Sequence, residues 1–210
     1  MRKLTSKPAV IGAIAVFVLA AAYVFWPRAT LADHAKSVLL QFVNGQSSDL
    51  HTYSPPHEVE AAGLSKEAWT QLCTKLIDPR TAAFRQKFSL VNVETWEDRG
   101  VAGADALFEG PAGLRYTFSC QVSASDSGPK CLLLQLYSQT WLMEAAMDGI
   151  DVSQTAEMLQ AGLKGQDKDI AVLKALGIKG RVEEDPDEPL LTWEERKEKH
   201  QKILDQYKAQ

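Results

Sequence analysis

The sequence predicts an α+β domain, and three observations carry that reading. Apolar residues recur at helical spacing from about 31 to 77, switch to a period of two between 88 and 122, and return to helical spacing after Gly149. The strand-like runs follow one another through short turns, which favours an antiparallel meander over crossover connections. At 210 residues the chain has room for one ordinary domain with extensions.

The elements follow in order. Residues 9–26 are 18 residues without a charge or a proline. As a helix they span roughly 27 Å, close to the hydrocarbon thickness of a bilayer. Tyr23 and Trp26 sit at one end, where amphipathic rings suit the headgroup layer. Arg2, Lys3 and Lys7 precede the run and only Arg28 follows closely, so residues 1–8 are expected in the cytoplasm and the body outside it. The run exceeds the usual apolar core of a signal peptide, so an uncleaved anchor is expected, with a cleaved signal as the competing reading. Next, Leu31, Ala35, Val38, Leu39, Phe42 and Val43 form a helical stripe that Asn44-Gly45 ends. Pro55-Pro56 starts a helical turn through Ala62, and Ser65 caps a further helix expected to stop at Asp78-Pro79.

Residues 88–96, 101–109, 114–122 and 130–137 read as four strands. In the third, Leu114, Tyr116, Phe118, Cys120 and Val122 alternate with polar residues. Residues 150–180 read as a helical extension and 181–191 as an acidic linker. Thr192 and Glu195 have capping-box spacing and open a final helix within 192–210. The expected architecture is therefore N-terminal helices on a four-stranded antiparallel meander, with a transmembrane helix before it and a helical tail after it.

Charge and composition exclude several classes. Residues 1–28 carry +4 and the remainder −8, against a chain total of −4. An acidic body lacks the clustered Lys and Arg that phosphate contacts need, so nucleic acid is not expected as a partner. His51 and His57 bracket a proline-containing segment, but His57-Glu58 lacks a second His four residues on, so no metal or cofactor is expected. Glycine pairs at 100–103 and 110–113 read as hairpin turns, not phosphate cradles. Ser125 and Ser127 have no nucleophile-elbow context.

With these stripes at 30–44, 65–77 and 114–122, the order of elements over residues 30–147 resembles the NTF2-like (cystatin-like α+β cone) superfamily. An anchor followed by such a domain is similar to VirB8-like bitopic proteins of secretion assemblies. The resemblance implies a conical pocket between sheet and helices, where some members use Asp, His and Tyr for proton transfer. Asp33, His34, Tyr53, Asp105 and Tyr116 are the polar residues whose pattern points toward such a cone. Asp105 with His34 is the one acid–base pairing to consider, with a solvated strand carboxylate and a helix-flank histidine as the plainer reading.

No catalytic set stands out. The expectation is a membrane-anchored, exported binding or assembly module. The alternatives are an NTF2-like enzyme (isomerase, dehydratase or hydrolase) or a hydrophobic-ligand binder. The contents of the cone discriminate them: facing titratable groups favour the enzyme, an apolar lining the binder, a filled interior the assembly module. The final helix carries a seam of Trp193, Ile203, Leu204 and Tyr207, read either as docked on its own domain or as a tethered contact for a protein partner; self-association is also open. Export into an oxidising compartment would favour a disulfide between Cys120 and Cys131, with Cys73–Cys120 as the rival pair and three free thiols as the third reading.

Overall fold

A computed structural model describes residues 29–182 and 188–208. The anchor expected at 9–26 lies outside these residues. Among the described residues, no helix is long and apolar enough to cross a membrane.

Helix α1 (Leu31–Val43) turns Ala35, Val38, Leu39, Phe42 and Val43 inward. It ends at Gly45, whose φ of 72° suits a residue without a side chain. A 3₁₀ segment (Ser47–Tyr53) leads to α2 (Pro56–Ala62) and α3 (Lys66–Leu72). Ser65 caps α3 by accepting from the Ala68 N–H.

The chain does not leave the helix at Asp78-Pro79. A π-helical turn (Cys73–Ile77) joins α3 to α4 (Asp78–Lys87), with the Asp78 N–H donating to the Cys73 carbonyl five residues back. Proline removes one donor and crowds the carbonyl four residues before it. The widened turn makes room for Pro79, and the helix runs on for about three turns.

Strands β1 (Ser89–Asp98), β2 (Val101–Glu109) and β3 (Arg115–Ser123) form an antiparallel sheet in that order. Along β2, Ala102, Ala104, Ala106 and Phe108 face inward; along β3, Tyr116, Phe118, Cys120 and Val122 do. Helix α1 lies across this inner face. Glu97 of β1 accepts from the Ala32 N–H at the start of α1, where a carboxylate satisfies an otherwise unpaired donor.

The expected fourth strand is absent. Lys130 makes a single bridge to Ser123, and the chain then enters helix α5 (Leu133–Met147). The body is α+β with a three-stranded sheet. The run at 130–137 is apolar on almost every position because α5 is buried on several sides, between β3, α4 and α6 (Thr155–Ala175).

The tail is not a free tether. Gly180–Arg181 (β4) pairs with Leu191–Thr192 (β5), which ties the start of the final helix to the end of the preceding one. Helix α7 (Trp193–Lys208) opens on a capping box. The Thr192 N–H donates to Glu195 Oε2 at 2.9 Å and the Glu195 N–H to Thr192 Oγ1 at 3.3 Å. Trp193 is fully buried and donates through Nε1 to the Ile178 carbonyl at 2.9 Å, while Gln166 donates to the Trp193 carbonyl.

Two cores result. Under the sheet, Phe118 stacks on Phe42 at 5.4 Å, and Phe84 meets Phe88, Phe108 and Tyr116 at 4.4, 5.1 and 5.3 Å between ring centroids. Between α4, α5 and α6 the centre is ionic. Arg80 holds Asp169 through two bonds of 2.6 Å, and Tyr137 and Trp141 donate to Asp169 Oδ2 at 2.5 and 2.7 Å. Arg80 Nε also reaches Glu144 at 2.9 Å. Burial opposes the Arg80 charge, but the bonds and charge of Asp169 more than offset it and hold the guanidinium above its ordinary range.

Candidate functional site

The space between sheet and helices, where a conical pocket is expected, is filled by the aromatic side chains of the sheet-side core. A cleft that the fold leaves open lies on the other side, along the free edge of β3. Its volume is about 360 Å³, and it is lined from the sheet by Trp96, Asp105, Ser119 and Gln121, from α5 by Gln135 and Gln139, and below by Cys120 and Cys131.

Strand periodicity places the sheet residues of this cleft. Asp105 and Ser119 are register partners on the outer face, and the Ser119 hydroxyl donates to Asp105 Oδ1 at 2.6 Å. Trp96 lies opposite Gly103 in the β1–β2 register. The indole covers the bare glycine backbone, and a Cβ at Gly103 would stand 2.4 Å from Trp96 Cε2. Trp96 remains 46% exposed, an aromatic surface on an otherwise polar sheet face.

The edge of β3 is closed at two points. Lys130 and Ser123 exchange backbone bonds of 2.8 Å. The Gln139 side chain acts as a substitute strand: its Oε1 accepts from the Ser119 N–H at 3.0 Å and its Nε2 donates to the Ser119 carbonyl at 2.6 Å. Gln121, two residues from each, turns its backbone toward the same edge and lies in the cleft wall. His57 stands at the rim with a buried Nε2 that has no hydrogen-bond partner among the described residues.

Behind the cleft, Glu58 anchors the start of α5. Its carboxylate accepts from the Leu133 and Leu134 N–H groups at 3.0 and 2.9 Å, and from the Ser54 hydroxyl at 2.5 Å. Burial pushes this carboxyl above its ordinary range, against the pull of those bonds.

The residues singled out in the sequence fall apart into separate places. His34 lies on α1, with Nδ1 3.4 Å from the Tyr53 hydroxyl, while Asp105 is on the outer face of the sheet against Ser119. The sheet separates them, so they form no acid–base pair. Tyr116 is a core residue whose hydroxyl donates to the Gln139 carbonyl; burial pushes its phenol up. Trp193 and Leu204 are committed to the protein's own core, Ile203 is half-buried, and Tyr207 is 49% exposed. A partner meeting the α7 seam would therefore find chiefly Tyr207. Cys120 and Cys131 do meet, as thiols with sulfurs 3.8 Å apart, whereas Cys73 is a free thiol buried in the π-helical turn. Among the described residues, no group of three or more His, Cys, Asp or Glu is arranged to hold a metal ion.

Trp96 and Gln139 carry no signal in sequence spacing, and His57 stands out there only as a metal-ligand candidate without a partner. Only the Trp96–Gly103 cross-strand pair was recoverable in principle, from the register of a hairpin turning at Arg99-Gly100.

Compared with protein-family models, curated proteins and solved structures, the chain matches none.

Proposed function

We propose that the chain is a membrane-anchored, exported binding or assembly module without catalytic activity. The observation that carries this reading is the filled interior. Phe42, Phe84, Phe108, Tyr116 and Phe118 occupy the space where an NTF2-like enzyme or lipid binder would hold its ligand. The helices-before-sheet order supports an NTF2-like relation, with α5 standing where a fourth strand is expected. Residues 9–26 supply the anchor, with the N-terminus cytoplasmic and the body periplasmic or extracellular. The partner is a protein at the membrane surface, met by the outer sheet face around Trp96, with Tyr207 of α7 as a second exposed contact.

The test is a crosslinked pull-down of the full chain from membranes, run beside Trp96→Ala and Tyr207→Ala. The reading expects a defined partner that Trp96→Ala weakens about tenfold while the melting temperature holds, since an exposed anchor acts on binding rather than folding. Equal recovery with all three chains would overturn the assignment of these surfaces. Protease added to spheroplasts should digest the body, and a body cut only after lysis would overturn the topology.

A further inference from the structure

We propose that Cys120 and Cys131 are a redox couple that closes into an intramolecular disulfide across the β3–α5 junction. The two sulfurs are 3.8 Å apart, and each residue is less than 5% exposed. A disulfide needs about 2.05 Å between sulfurs, so the pair must close by somewhat under 2 Å. The backbone on either side is already fixed. Cys120 is an inward residue of β3, held by the ladder to β2. Cys131 follows the Ser123–Lys130 bridge and donates its N–H to the Tyr53 carbonyl at 2.8 Å. The loop between them is therefore closed before any bond forms.

Access and partner choice follow from position. Cys120 and Cys131 both lie in the cleft wall, so the cleft is the route by which a small disulfide-bearing oxidant approaches them. Cys73 is in the helical layer and stays outside the exchange. The Cys131 thiol is pushed up by its bond with Cys120, by burial and by the Glu58 carboxylate. Position sets neither sulfur apart, and the exchange runs the same way with Cys120 leading. The Cys120 thiolate attacks one sulfur of the oxidant RSSR, breaking its S–S bond and releasing RSH. Cys131 then attacks Cys120 Sγ in the mixed disulfide and displaces the second RSH. The protein loses two hydrogens and two electrons, and the oxidant gains both. That the couple is oxidised in the cell rests on the exported reading of the body; the exchange itself does not.

The probe is oxidised glutathione, added to the reduced, purified full chain. After acid quench, unfolding and alkylation, the chain should lose 2 Da and retain one alkylatable thiol, at Cys73. Peptide mapping should join Cys120 to Cys131. The melting temperature should rise by about 5–10 °C, the range expected for closing a loop of this length. Cys131→Ala should stop at one glutathione per chain on Cys120. Three thiols after oxidation, or a bond that includes Cys73, would overturn the couple, and the wild-type mapping decides this even if the variant fails to fold. The same count on acid-quenched cells separates the two claims. A couple that oxidises when purified but is fully reduced in cells would overturn the exported location and leave the chemistry standing.

Discussion

The sheet side of the core and the three-helix hub are held together by opposite means. Under the sheet, contact is almost entirely aromatic and aliphatic, and no member depends on a single partner. In the hub, Arg80, Asp169, Tyr137, Trp141 and Glu144 satisfy one another through directed bonds. An apolar core degrades in proportion to the volume removed, whereas an ionic one fails when any member is left unpaired. The contrast separates two kinds of tolerance in one small body.

The largest expected effect tests where the hub ends. A chain stopped at residue 182 loses Trp193 and Leu204, two buried side chains that carry α7 onto the body. The cost should be about 5–10 kcal/mol, comparable to the whole stability of an ordinary domain. Circular dichroism of the shortened chain should show no cooperative unfolding transition.

Next, Asp169→Ala and Phe118→Ala should each cost about 3–5 kcal/mol by chemical denaturation. What distinguishes them is rescue. The pair Arg80→Met with Asp169→Leu should recover part of the loss, because it removes the orphaned charge and fills the space while Tyr137 and Trp141 stay without their acceptor. Phe118→Ala should not be rescued by substitution at Phe42. If Arg80→Met/Asp169→Leu stays as unstable as Asp169→Ala, the two cores are alike after all.

Glu58 sharpens the comparison from a third position, a carboxylate alone among backbone donors. Glu58→Gln sets an amide N–H₂ against one of those donors and should cost about 1–3 kcal/mol near pH 4. The native carboxyl titrates above its unfolded value of about 4.3, so the folded chain binds more protons in the window between them. The contribution of Glu58 is therefore greatest below that window and falls as pH rises through it. The deficit of Glu58→Gln relative to the wild type should shrink over the same range in melting curves. A deficit that grows with pH would mean that the α5 donors outweigh burial.

The smallest effect belongs to the cleft. Gln139→Ala frees the N–H and carbonyl of Ser119 to solvent and should cost about 1 kcal/mol. Hydrogen exchange at Ser119 should accelerate while the rest of β3 stays protected.

How much of this was legible follows the range of each interaction. The β3 alternation, the Ser65 cap and the Thr192–Glu195 box are local and stood in the sequence. The start of α5 did not. A run such as 130–137, apolar at nearly every position, has neither period, and only the length of the helix to Met147 resolves it. Asp78-Pro79 read as a stop because the π-helical turn that absorbs the proline has no sequence mark. Arg80 and Asp169 lie 89 residues apart, so their pairing has no local signal. The acid–base candidates failed for a related reason: strand alternation gives a face for Asp105 but does not say which side the helices cover.

The buried position of Trp193 also orders events in time. Synthesis runs from the amino end, so Trp193 and Leu204 are made after every other core residue described here. A nascent chain paused near residue 190 presents an unfilled hydrophobic socket beside Trp141 and Ile178. Until α7 arrives, that socket is a surface for chaperones. Under the export proposed above, a keystone supplied late would keep the body loose until it has crossed the membrane.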